Sequence, residues 1–179
     1  MKPKFSTEYI AIGKAAVSDI PKLIALGILA YGQYAETLGA NHWALMRQNL
    51  SNEAMFADLL RKSTCFVARH KSEIIGMAFL LPSGNAIDVY EAEWCSIRLV
   101  AVNPLHQGKQ IAKTLTQTCI NQAINNGEQT IALHTSSMMP AAMHVYECFG
   151  FKILRDIGLR FGQQYFLYTL NLTPKTSAP

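Results

Sequence analysis

The residues Gln107-Gly108-Lys109-Gln110-Ile111-Ala112 stand between an apolar run that ends at Val102 and an amphipathic stretch, an arrangement that can hold a phosphate. The run from Ile97 to Val102 reads as a strand, Asn103-Pro104 as a turn, and the chain opens a helix near Gln110. The first N–H groups of a helix have no intrahelical acceptor and share the positive end of its dipole. Main chain from Gln107 to Ala112 can therefore bind an anion. Lys109 and Lys113 could add charge there, although lysines in a first turn read equally well as solvated side chains. His106 reads as a surface loop residue, and His134, inside a strand pattern, as a satisfied interior polar group.

The elements that must position this loop follow from periodicity and punctuation. Ser18-Asp19 followed by Pro21 signals a helix start, and Leu23, Leu26 and Ala30 carry that helix to about Gln33. A second helical region runs from about His42 to Arg61, recapped near Ser51-Asn52. Thr64–Arg69 and Glu73–Leu81 read as a hairpin turning at His70-Lys71-Ser72 and closed by Pro82-Ser83-Gly84-Asn85. After the strand from Trp94 to Val102, the stripe Ile111, Leu115, Cys119 and Ala123 defines a helix ending at Asn125-Asn126-Gly127. Another strand covers Glu128–Thr135. A helix from about Ser137 to Phe149 follows, with Pro140 in its first turn and Gly150 as its stop. Phe151–Ile157 and Gln164–Leu172 read as two closing antiparallel strands. Strands before, between and after helices make a mixed α/β sheet.

The 179 residues, half of them hydrophobic, can bury one substantial core, so residues 1–172 read as a single domain and 173–179 as a flexible C-terminal tail. The net charge of +4 suits an anionic ligand, but no basic block points to nucleic acid. Met1–Ser6 precedes no apolar run of leader length, and no window of membrane-spanning length is apolar throughout. The chain reads as a cytoplasmic protein with no membrane association. Cys65, Cys95, Cys119 and Cys148 are widely spaced in apolar or helical surroundings and read as reduced core or near-core residues. No ligand cluster for a metal and no Ser-His-Asp order is present, so neither a metal nor a covalent mechanism is indicated.

Taken together, these motifs resemble the GNAT superfamily of N-acetyltransferases over roughly Ser63 to Leu172, most specifically from Trp94 to Phe151. The loop pattern Q/R-x-x-G-x-G/A is filled by Gln107 to Ala112. The helix pattern N-x-x-A-x-x-x-Y followed by Gly-Phe maps onto Met139, Ala142, Tyr146 and Gly150-Phe151. Between them, Thr130–Thr135 matches the strand that in this family lies parallel to the central strand and splays from it to admit a pantetheine arm. The implied fold is a mixed, mostly antiparallel central sheet with a splayed parallel pair, flanked by helices. The implied co-substrate is acetyl-CoA. Two positions depart from the pattern. Gln110 stands where the family prefers glycine, and a glutamine fits there with a negative φ and its side chain turned from the ligand. Ser96 stands where many members carry a general-base glutamate.

The resemblance implies that the backbone of Val100, Ala101 and Val102 binds the pantetheine, with Ala142 beside it. The N–H groups from Gln107, Gly108, Lys109, Gln110, Ile111 and Ala112 then hold the pyrophosphate. Tyr146 is expected beside the thioester sulfur. A phenol near pKa 10 is a weaker acid than a thiol near 8.5, so hydrogen bonding to the developing thiolate is its expected role, with proton donation coupled to loss of the amine proton as the variant. An alkylammonium near pKa 10 must lose a proton before it attacks, and Glu93, or Glu91, could take it through a water that Ser96 positions. The acceptor, a small-molecule amine or a peptide N-terminus, is expected between the first two helices and the last hairpin. Candidates there are Tyr31, Tyr34, His42, Trp43, Tyr90, Arg160 and Phe161. The family also implies a homodimer through the last strands. The runner-up is a non-catalytic acyl-CoA-binding module of the same fold, and a third reading, a domain for another nucleotide, lacks the G-x-G-x-x-G and Walker patterns.

Overall fold

A computed structural model describes residues 9–85 and 88–172, so the expected tail at 173–179 and the chain start at Met1–Ser6 lie outside the described residues. The chain runs β1 (Ile10–Lys14), α1 (Ile20–Gly32), α2 (Ala35–Leu50), α3 (Glu53–Lys62), β2 (Thr64–His70) and β3 (Glu73–Leu81). It continues through β4 (Cys95–Val102), α4 (Ile111–Asn125), β5 (Thr130–Ser136), α5 (Pro140–Cys148), β6 (Lys152–Arg160) and β7 (Gln163–Asn171). The strands form one sheet in the order β1-β2-β3-β4-β5-β7-β6. Every neighbouring pair is antiparallel except β4 and β5. This is the mixed, mostly antiparallel sheet with one parallel pair that the sequence implies.

Alternation along the inner strands sends apolar side chains to both faces, so both faces carry helices. On β2, Phe66 and Ala68 join a core with Ile111, Leu115, Cys119 and Ala123 of α4. Cys65 and Val67 point the other way, into a core with Leu23 and Leu26 of α1 and Phe56 of α3. Leu23 and Phe56 are each 0% exposed, and burial of each contributes about 2 kcal/mol. A register skip between Ala68 and Arg69 leaves Ile75 as an extra residue of β3. Gly76 beside it lets α4 approach, because a Cβ there would lie 2.6 Å from Ile111.

Local chemistry sets the helix ends. Asn52 caps α3 by accepting the Met55 N–H at 3.0 Å, and Pro21 and Pro140 stand in first turns, where a missing N–H leaves no gap. Four features differ from the sequence reading. β1 has no counterpart there, because Ile10–Lys14 is too short to show alternation. Helix α2 opens at Ala35 rather than near His42, and Gly39, at φ 75°, interrupts it, which hides the first turn from any period-3.6 reading. β6 runs on to Arg160 because a register shift between Asp156 and Leu159 breaks its alternation without ending it. Cys65, Cys95 and Cys119 are buried as expected, but Cys148 is exposed at the end of α5, since the core-facing residue of this turn is Tyr146.

Candidate active site

β4 has strand neighbours on both sides only at its start. Cys95 and Ser96 pair with Ile131 and Ala132 of β5. Beyond them β5 continues along β7 and β4 along β3, so the two parallel strands separate. Among the described residues, the edge of β4 from Ile97 to Val102 that faces β5 has no strand partner, so its main-chain groups, apart from the Val100 carbonyl that the Tyr31 hydroxyl reaches, are open to a ligand. Leu99 and Val100 together oppose Ala78, a bulge that puts Leu99 at φ 49°. A left-handed leucine costs about 1 kcal/mol, and it redirects the backbone where the strands part.

A cavity of about 440 Å³ opens over this edge. Its floor is Val100, Ala101 and Val102, and its far wall is Ala142 and Tyr146 of α5. Gln107, Gly108, Gln110, Ile111 and Ala112 close one end, with Lys113 beside them. Lys109, expected in this group, does not line it. Asn103 accepts the Leu105 N–H at 3.0 Å and so shapes the turn out of β4, while Gln107 donates to Gln33 Oε1 at 3.2 Å and ties the loop to the end of α1. Gly108 has φ 77°, which needs the freedom of glycine, and the space on its Cβ side is open. Gln110 has φ 64°, not the negative φ that would make a glutamine comfortable. The loop demands a left-handed residue at that point to turn into α4, and glutamine adopts it with strain. Its side chain makes no capping bond, so the first-turn N–H groups of α4 stay available. His106 is half-buried rather than a surface residue. Its ring packs on His70 at 5.7 Å, and its Nδ1 is buried without a partner among the described residues.

A second cavity, of about 560 Å³, is lined by residues of α1 to α3, β4, β5, α5 and the β6–β7 hairpin. The two cavities share Tyr31, Val100, Met139, Ala142 and Tyr146 as a common wall. Tyr146 is 6% exposed, and burial raises its phenol far above the ordinary value. It holds its proton throughout the working pH range, and among the described residues no protein group accepts from it. Burial likewise raises Tyr31, whose hydroxyl donates to the Val100 carbonyl at 3.3 Å.

Of the side chains expected around an acceptor, Tyr31, Tyr90, Arg160 and Phe161 line the second cavity and Tyr34 lines the first. His42 and Trp43 line neither, since His42 packs against Gly162 and Trp43 lies beside Gly32. His134 sits in the second cavity with its Nδ1 hydrogen-bonded to the Tyr90 hydroxyl. Burial lowers its pKa to about 4, so the imidazole is neutral. Arg160 holds Asp88 with two hydrogen bonds, at 2.5 and 2.9 Å, and thereby keeps that carboxyl below its usual range. Glu91 and Glu93 are exposed before β4 and line neither cavity. Ser96 is buried in the paired start of the strand and lines neither either. Sequence reasoning missed Arg98, Asp88 and Thr135, all in the second cavity. The available signal was Arg98 itself, a charge inside the apolar run Ile97 to Val102.

Residues 33–151 match the family described as the acetyltransferase (GNAT) family. The chain is 26% identical over 151 residues to the probable N-acetyltransferase camello of Xenopus tropicalis, covering 83% of this chain and 65% of that protein. It thus spans less than two thirds of that relative's length. Among solved structures, the PaiA N-acetyltransferase of Thermoplasma acidophilum in complex with coenzyme A superposes with a TM-score of 0.74 at 18% identity, covering 91% of this chain and 99% of that one. The yncA protein of Salmonella typhimurium, solved with its cofactor acetyl-CoA, gives a TM-score of 0.65 at 18% identity, covering 95% and 97%. At these identities the structural likeness speaks for the fold.

Proposed function

Because the chain belongs to the acetyltransferase (GNAT) family, we propose that it moves the acetyl group of acetyl-CoA onto a primary amine by direct attack within a ternary complex. The observation that carries this reading is the shared wall. Both cavities reach Tyr146, so a thioester in one and an amine in the other can meet beside it without a covalent enzyme intermediate. The unpaired edge of β4 from Val100 to Val102 suits the amides of pantetheine. The N–H groups from Gln107 to Ala112, together with Lys113, suit the pyrophosphate.

In the transfer, the amine lone pair attacks the thioester carbonyl carbon. The C–S bond then breaks and its electron pair stays on sulfur. Tyr146, kept protonated by burial, donates a hydrogen bond to the charge growing on that sulfur. Full transfer of its proton is uphill, because burial weakens the phenol further as an acid. The attacking nitrogen releases its proton to water. His134 is too weak a base to take it, Asp88 is engaged by Arg160, and Glu93 is exposed and lines neither cavity.

Initial-rate kinetics test this scheme. Double-reciprocal plots in both substrates are expected to intersect, whereas parallel lines would mean an acetyl-enzyme intermediate. Acetyl-CoA binding without release of CoA to any amine would favour a binding module instead.

A further inference from the structure

The second cavity contains polar groups that the protein itself leaves unanswered. Arg98 projects into it from β4, and among the described residues no carboxylate pairs with it. Its guanidinium carbon instead lies 5.6 Å from the centre of the Tyr90 ring. A cation–π contact at this distance uses none of the guanidinium's N–H groups as hydrogen-bond donors. The nearby carboxylates are engaged elsewhere, Asp88 by Arg160 and Asp58 by Arg61 and Lys62. Thr135 and Arg160 line the same cavity, and Thr135 Oγ1 and Arg160 Nε are buried with no hydrogen-bond partner among the described residues. Thr135 is only 2% exposed. Buried donors without acceptors are destabilising, so their presence on residues that line one cavity with Arg98 suits a ligand that brings acceptor atoms. The rest of the wall includes Leu50, Met55, Leu59 and Phe161, which are apolar.

We propose that the acceptor is an amine that also carries a carboxylate and an apolar side chain, a free amino acid in chemical class, with Arg98 as the carboxylate's principal anchor and Thr135 beside it. The proposal rests on the acetyl-transfer reading above. His134 is neutral there, Lys62 pairs with Asp58 and Arg160 with Asp88, so among the described residues Arg98 is the cavity's unbalanced permanent charge. That charge selects for an anionic group and against polycations.

Matched pairs test this: leucine against leucinamide and phenylalanine against phenylalaninamide, with spermidine as the polycation. CoA release is followed at saturating acetyl-CoA, after calorimetry on the same sample has measured acetyl-CoA binding. Rates are expressed per unprotonated amine, because the amide's ammonium is the stronger acid. The acids are expected to exceed their amides about ten- to hundredfold in kcat/KM, the discrimination of one charge-assisted hydrogen-bonded pair. Arg98→Gln is expected to raise KM for the acids and bring the acid-to-amide ratio towards one. Amides used as well as acids by the unaltered protein, spermidine used best, or an acid preference that survives in Arg98→Gln would each overturn the proposal. Acetyl-CoA binding with no turnover of either acid overturns the acceptor assignment alone. Absence of acetyl-CoA binding overturns the acetyl-transfer reading with it.

Discussion

The Tyr31 hydroxyl donates to the Val100 carbonyl oxygen at 3.3 Å, joining α1 to the stretch of β4 that has no strand on its β5 side. One phenol thus answers a carbonyl that sheet pairing abandons, and its ring forms part of the wall between the two cavities. Tyr31→Phe removes the donor and keeps the ring. The expected cost is about 1 kcal/mol, seen as a fall in Tm of about 2–4 °C for a chain of this size. Acetyl-CoA affinity should weaken severalfold, because the β4 edge loses its support. Thermal melts and calorimetry check both, and unchanged values would mean that this bond holds nothing in place.

Gln110 is a left-handed residue where glycine would be at ease, with φ 64°. Gln110→Gly relieves strain of about 1–2 kcal/mol and adds backbone entropy to the unfolded chain worth about 0.5–1 kcal/mol. The net expectation is a gain of about 0.5 kcal/mol, with acetyl-CoA bound more tightly, because no Cβ then stands beside the phosphates. Denaturant titration and calorimetry measure these, and a loss on both counts would show that the glutamine side chain itself holds the loop or the ligand.

These two positions show what the sequence could and could not disclose. The stripe on α4, the Pro140 start of α5 and the order strand, loop, helix were legible because period and punctuation are local. The loop from Gln107 to Ala112 was placed from them, whereas its expected cofactor role and the choice of Tyr146 came from the resemblance to the GNAT superfamily. Leu99 was not legible. Its left-handed bulge exists only because β3 pairs with both sides of it, a constraint written in Met77 and Phe79 far along the chain. Arg98 appeared as one charge in an apolar run, and its lack of a carboxylate depends on where Asp88 and Arg160 lie in space. The same holds for Glu93, whose nearness to β4 in sequence does not bring it to either cavity.

The rate should follow the acceptor's own ionisation. Among the described residues, no group that lines the second cavity is a strong unpaired base, so kcat/KM is expected to rise about tenfold per pH unit up to the pKa of the acceptor ammonium. A pH–rate profile for two amines of different pKa checks this, with each profile levelling near its own amine. A plateau at a common, lower pH for both amines, removed by Glu93→Gln, would instead put Glu93 in the proton's path.

Burial of His134 has a consequence for stability. Its folded pKa is about 4 against an ordinary 6.5. As pH falls from about 6.5 to about 4, the unfolded chain takes up a proton that the folded chain refuses, so stability is lost across that window, by up to about 3 kcal/mol. His134→Asn keeps a hydrogen-bond partner for the Tyr90 hydroxyl and cannot be protonated. Denaturant midpoints measured from pH 7 to pH 4 should fall less steeply for the variant, and parallel curves would assign the acid sensitivity elsewhere.

The central claim is that acetyl-CoA reacts where the two cavities meet at Tyr146. It is tested most directly by titrating the protein and Tyr146→Phe with acetyl-CoA in a calorimeter, then adding amine acceptors, leucine among them, to the same samples and following thiol release. Both proteins are expected to bind within about twofold of each other, and the variant to release thiol about a hundredfold more slowly, the size expected for a hydrogen bond made only as the thiolate forms. Equal release by both would remove Tyr146 from the reaction, and failure of the unaltered protein to bind acetyl-CoA would contradict the account at its root.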